Sequence, residues 1–161
     1  MTRWNFIMDE NMVVRGLLGR PPAARDIWLA IAHNCHRCAV DRLLYGRYWD
    51  HLRQSRGNAP SAEAALVAGT INLILRNADK TIWTETQAPT RLSQYVRHGN
   101  DKFLADIAAE VIYTHGADNC VLVSTYARTW TDFNRPEMQS IGIRGLRIEG
   151  GLALACEQCG G

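Results

Sequence analysis

No apolar run in this chain approaches the roughly 20 residues that a membrane-spanning helix needs, so a membrane role is not expected. The opening "MTRWNFIMDENM" places Asp9 and Glu10 directly behind a short apolar run, which is not the long apolar core and small-residue cleavage site of a secretory signal. There is no internal repeat and no low-complexity segment. Charge of one sign is also lacking: 18 basic against 16 acidic residues leave a formal +2, so bulk electrostatics neither demands nor excludes a nucleic-acid partner. These absences together predict a cytoplasmic, reducing location, in which the five cysteines are thiols or metal ligands, not disulfides.

What is present is enough for one domain. The chain has 161 residues, 47% of them hydrophobic, which supports a real core and is too short for two. "WNFIMD" is a β-prone run ending in an acid, and the Pro21-Pro22 pair opens a helical pattern through "AARDIWLAIAH". "CHRCAV" is a second short run; Asp41 caps the helix "RLLYGRYWDHLRQ", where Leu44, Tyr48 and Leu52 recur at four-residue spacing. "SRGNAP" interrupts, and Ser61 caps a third helix, "AEAALVAGTINLILR".

"KTIWTE" reads as a third strand, while 86–98 is open between loop and short helix. A helix runs from about Asp101 to His115, with Gly116 as its stop. "NCVLVST" is the clearest strand and "IRGLRIE" a weaker one. Strands alternating with helices predict an α/β fold of three layers, a mostly parallel central sheet with helices on both faces. Such sheets bind ligands at the carboxyl ends of their strands. Asp9 closes the first strand, and the helix opened by Asp101 leads into "NCVLVST", so both acids belong to the same sheet edge.

"FIMDENMVV" resembles the opening of PIN-domain ribonucleases, an apolar strand ending in Asp, one variable residue and Asn; Asp9 and Asn11 fit it. "NDKFLADIAAEVIYTHGADNCVLVST" is similar to that domain's later half, and "TDFNRPEMQSIGIRGLRI" to its end, where Asp132 stands in the Asp-Phe pair. The resemblance spans about residues 4 to 149. It implies a PIN-like domain over 1–149 followed by a Cys-containing tail, 150–161. It further implies an Mg²⁺- or Mn²⁺-dependent endoribonuclease that hydrolyses RNA phosphodiester bonds through acids at the carboxyl ends of the strands.

Asp9 and Asp101 then hold the metal, with Asp132 as a third catalytic candidate, and Asn11, Arg47 and Arg128 are the substrate-binding candidates. Hard divalent cations need oxygen ligands and sit on one or two carboxylates plus phosphates and water. Two departures stand out: Gly46 and Arg47 occupy a place where the family carries an acid, and so does Tyr126. Asp50 and Asp41 are further acids near that helix. Asp101 also has a simpler role open to it, as a carboxylate favourable at any helix start. Asp106 lies about 140° around the helix from Asp101, at 100° per residue, and reads as solvated or paired. Trp83 and Trp130 read as buried aromatics or as stacking surfaces for bases.

"HNCHRC" and "ACEQC" each contain Cys-x-x-Cys, the ligand spacing of structural zinc. Cys35, Cys38, Cys156 and Cys159 would form a tetrahedral thiolate set, with His33 and His36 as substitutes. Two readings compete with the nuclease. One is a catalytically inactive PIN-like module that binds RNA or a protein; the other is a small zinc- or redox-responsive protein using the two Cys pairs. RNA is the expected partner, alongside a protein such as an antitoxin and self-association into a homodimer.

Overall fold

The structure, a computed structural model, describes residues 2–57, 61–85 and 90–159. Chain order is β1 (Asn5–Met8), α1 (Glu10–Leu18), α2 (Pro22–His33), β2 (Arg37–Val40), α3 (Arg42–Gly57), α4 (Ala62–Arg76) and β3 (Thr81–Trp83). Then follow α5 (Lys102–Tyr113), β4 (Cys120–Val123), α6 (Ala127–Asp132), α7 (Pro136–Gln139), β5 (Ile143–Leu146) and α8 (Ile148–Ala155). Two 3-10 turns, Arg91–Tyr95 and Gly99–Asp101, precede α5.

All strand pairs are parallel and the order is β3-β2-β1-β4-β5, as expected for a three-layer parallel α/β fold. Given that order, right-handed crossovers fix which face each helix covers. From β1 the chain steps outward to β2 and β3, so α1 to α4 share one face, where they pack on one another. It then returns past β1 to β4 and β5, which reverses the direction and puts α5 on the other face against β1, β2 and β4. The reversal leaves a switch point between the carboxyl ends of β1 and β4. All of β1 and β4 is buried, because central parallel strands are covered twice.

The expected helix starts hold. Asp41 Oδ1 accepts the Leu44 N–H at 2.8 Å, and Ser61 Oγ accepts the Ala64 N–H at 3.1 Å. Gly116 takes the positive φ of 68° that ends α5 without steric cost. Leu44, Tyr48 and Leu52 do line the buried face of α3. Of the expected break "SRGNAP", α3 continues through Gly57 and 58–60 lie outside the described residues; of the open stretch 86–98, 86–89 lie outside them and the remainder contains the 3-10 turn Arg91–Tyr95.

Helix α1 has no counterpart among the expected elements. Its signals are Asp9 as cap, buried Met12, Val13 and Gly16 at helical spacing, and the left-handed Gly19 at its end. The expected boundary at 149/150 falls inside α8, which packs on α2, β4 and β5; what reads as a tail is part of the helical layer. Edge strand β5 is blunted by a side chain: Asn134 donates to the Gly145 carbonyl at 2.8 Å and accepts its N–H at 2.9 Å, as a neighbouring strand would.

The amino edge of the sheet is tied to the end of the chain. Cys35 and Cys159 form a disulfide with Cα atoms 5.9 Å apart, which corrects the expectation that the cysteines are thiols or metal ligands and not disulfides. Around it the Trp4 indole N–H donates to Glu157 at 2.7 Å, and Asn34 donates to the Ala155 carbonyl at 2.8 Å. Because the crosslink joins residues 124 apart, it restricts much of the unfolded chain. Reduction, or Cys159→Ser, is expected to cost about 2–4 kcal/mol, read as a fall in melting temperature with reductant. Cys156→Ser, at an exposed free thiol, should melt like the parent; equal melting of all three proteins would remove the crosslink from the account.

Candidate functional site: paired carboxylates at the switch point

Asp9 ends β1 and caps α1 in one residue. Its N–H donates to the Val123 carbonyl at 3.0 Å, extending the pairing of β1 with β4, and its Oδ1 accepts the Glu10 N–H at 2.8 Å. Oδ2 accepts from the Ser124 hydroxyl at 2.8 Å and the Asn11 amide at 3.3 Å. Only 7% of Asp9 is exposed. Burial pushes its pKa from 3.8 up to about 6; the Ser124 hydrogen bond opposes that, and the charge of Asp101 adds to it.

Asp101 stands at the start of α5 and makes no side-chain cap bond. Its Oδ2 instead accepts the Thr129 hydroxyl at 2.9 Å, from the first turns of α6. Its charge adds to the rise in the Asp9 pKa, so two acids remote in sequence stand on the same edge of the sheet. Ser124 and Thr129, hydroxyls that hold the two carboxylates, were not singled out from the sequence. The small hydroxyl residues closing "VLVST" were the available signal.

Asn11 is buried and joins the same network, with Ser124 at 3.4 Å. Arg47 lies over the Phe103 ring, 4.7 Å from its centroid, and contacts Glu10 at 3.4 Å. His51 Nε2 lies 3.0 Å from the other Glu10 oxygen. Glu10 and His51 were not anticipated; their signal is the helical spacing of Arg47 and His51, which turns both toward the residue after Asp9. Arg128 is exposed beside Tyr126, 5.2 Å from its ring centroid.

Asp132 is placed differently. It is buried and bound by the Arg97 N–H at 3.0 Å and the Arg97 guanidinium at 3.1 Å, with Arg135 at 3.4 Å. Burial alone would raise its pKa, but the Arg97 hydrogen bonds and charge outweigh it and hold the carboxyl low. With its oxygens occupied in this way, the carboxylate serves to fix the segment ahead of α5. Asp106 is paired too, accepting the Thr90 N–H and hydroxyl at 2.7 and 2.8 Å. Asp50 makes an exposed pair with Arg53.

The four-thiolate zinc set is not assembled. Cys38 is buried in β2, its thiol pushed by burial up to about 12, and Cys156 is exposed elsewhere. The ligand atoms that do gather are those of Cys35, His36 and Cys159. Two of these are joined as the disulfide, and His36 Nδ1 accepts the Trp4 N–H at 3.0 Å while Nε2 donates to the Glu157 carbonyl at 2.7 Å. A donor set with its sulfurs bonded and its imidazole nitrogens engaged does not fit zinc. The reason is the α/β alternation itself: Cys35 precedes β2 at its surface, and Cys38 points into the core from within it.

A 650 Å³ cleft opens at the opposite, amino edge, lined among others by Trp4, Asn119 and Arg144. Size does not make it the site. Asn119 is spent on Asn5 and Arg3, and Arg144 lies over the Trp4 ring. Compared with protein-family models, with curated proteins and with solved structures, the chain has no match. Among the described residues no helix is long and apolar enough to cross a membrane.

Two outcomes follow from these contrasting acids. The folded chain keeps the Asp9 proton to higher pH than the unfolded chain, so stability falls as pH rises from 3.8 through about 6. The effect is at most about 3 kcal/mol at 1.36 kcal/mol per pKa unit. Asp9→Asn should therefore stabilise the metal-free protein at pH 7.5, and much less at pH 4, in urea unfolding; destabilisation at pH 7.5 would contradict a strained carboxylate. Asp132→Asn should do the reverse, losing about 1–3 kcal/mol at pH 7 in the same urea unfolding.

Proposed function

We propose that the protein is a metal-dependent endoribonuclease whose divalent cation is held by Asp9 and Asp101. The observation that carries this reading is the Asp9 carboxylate buried at the switch point, held by Ser124 and Asn11 and raised in pKa by burial and by the charge of Asp101 on the same edge. A cation beside Asp9 would offset both the burial and the Asp101 charge that raise its pKa, and a hard oxygen donor set suits Mg²⁺ or Mn²⁺. The resemblance of "FIMDENMVV" and "NDKFLADIAAEV" to PIN-domain ribonucleases supports the same assignment.

When bound, such an ion supplies a water of lowered pKa and compensates charge building on the phosphate oxygens. The residues of the chain do the rest. Ser124 and Asn11 orient Asp9 through Oδ2, and Thr129 orients Asp101. Arg128, exposed beside this edge, is placed to attract a phosphate. Arg47 is partly engaged by Glu10, and with His51 it surrounds that acid with basic groups.

The Glu10–Arg47 pair favours a second reading. A cation where further acids are expected makes a non-catalytic module that binds RNA by charge the alternative.

Cleavage of single-stranded RNA in Mg²⁺ and in Mn²⁺ separates the two. The parent should cleave, chelation should abolish cleavage, and Asp9→Asn and Asp101→Asn should each lose at least about 100-fold while melting as folded proteins. Variants that cleave like the parent would refute the site. A parent that binds RNA in a salt-sensitive way but neither cleaves nor takes up Mn²⁺ would establish the binding module instead.

A further inference from the structure

The exposed aromatic side chains are not scattered at random. Among the described residues they are Tyr45, Trp83, Tyr113 and Tyr126, and three of the four stand at the carboxyl edge of the sheet. Trp83 is the last residue of β3, paired with Val40 of β2. Since Phe6 pairs with Cys38, Met8 of β1 is level with Val40 and so with Trp83. Two strand spacings, about 10 Å, therefore separate Trp83 from the strand end that carries Asp9.

Tyr45 lies in the first turn and a half of α3, its N–H donating to the Asp41 carbonyl at 3.0 Å. Its ring is 5.1 Å from that of Trp83, tilted by 58°. On the other side of Asp9, Val123 of β4 is level with Met8, and Tyr126 follows three residues later, 51% exposed and next to Arg128. The paired carboxylates are thus flanked by an aromatic station on each side, one strand end away toward β4 and two toward β3.

We infer that Trp83, supported by Tyr45, and Tyr126 stack on unpaired bases that flank the scissile phosphate of a single-stranded RNA lying across this edge. The inference rests on the ribonuclease reading for the phosphate at its centre. Each station has a cation nearby: Arg128 over the Tyr126 ring, and the exposed Arg42 one helical turn before Tyr45 along α3. Alternating aromatic and basic groups match the alternation of base and phosphate along a strand. A protein partner would call for one contiguous apolar patch, whereas here two stations are divided by a polar, acidic centre. A duplex would hide the base faces that such stations need.

The test measures affinity for a fluorescent single-stranded RNA 10-mer in Ca²⁺, on the full chain. Trp83→Ala and Tyr126→Ala should each weaken binding about 5- to 100-fold, and Trp83→Phe should recover most of the loss. Tyr113→Ala, at the far end of α5 and 66% exposed, should bind like the parent. A strand with abasic sites flanking its centre should bind the parent more weakly and no longer distinguish parent from Trp83→Ala.

Equal affinity of parent, Trp83→Ala and Tyr126→Ala would overturn the stations, as would a parent that binds a duplex as well as a single strand or binds no RNA. Failure of the ribonuclease reading looks different. A parent that shows this aromatic dependence of binding, yet never cleaves in Mg²⁺ or Mn²⁺, keeps the stations and loses the catalysis. A parent that cleaves, with KM unchanged by the alanine variants, keeps the catalysis and loses the stations.

Discussion

One buried carboxylate organises this molecule. Asp9 must end a central strand, begin a helix and carry a charge almost out of contact with water, and each demand fixes a neighbour. As a strand end its N–H takes the Val123 carbonyl; as a cap its Oδ1 takes the Glu10 N–H. The other oxygen then needs partners of its own, since a buried charge without them costs several kcal/mol. Ser124 and Asn11 supply these. The arrangement stops short of full compensation, as the raised pKa records. Structural groups in the same protein show what full compensation looks like: Asp132 has two arginines and a backbone N–H and is held low.

The fold determines where that imbalance can sit. Reversal of strand order between β1 and β4 separates the helix-covered faces at the carboxyl edge, and loops from both halves of the chain open there. Asp101 arrives from a helix on the second face and Thr129 from the connection after β4, so the site draws on three crossovers. The amino edge has the opposite character. Trp4, His36, Glu157 and the Cys35–Cys159 bond interlock there, and Lys80 donates to the Ile31 and Asn34 carbonyls at the end of α2. One edge is crosslinked by a disulfide and interlocking polar groups, and the other keeps a buried carboxylate of raised pKa and exposed rings. That asymmetry is the strongest pointer to function within the molecule.

The sequence carried the strands well because their signals are local: short β-branched and apolar runs bounded by acid, Gly or Asn. Caps were legible for the same reason, Asp41 and Ser61 each sitting three residues before the N–H they accept. Helix α1 was missed because its apolar positions follow a strand without a break, so the two periods merge at Asp9. Helix α8 was missed because "IEGGLALA" carries two glycines, poor helix formers in isolation. Packing on α2 and β4 overrides that propensity, and Gly151 is useful there, since a Cβ would meet Val123 and Ile27 at under 3 Å.

From its residues alone the chain determined an α/β parallel architecture and an acid at each of two element ends, because periodicity and capping act over a few residues. Only the tertiary structure decided what each acid and each cysteine does. Asp9 and Asp132 are one residue type at similar element ends, yet burial beside a second acid raises the pKa of one and two arginines lower that of the other. Cys35 and Cys38 share one motif, yet one lies at the surface ahead of β2 and reaches the end of the chain, and the other is sealed inside the sheet. Charge state and pairing depend on what lies within a few ångströms in space, and those neighbours come from the far side of the chain.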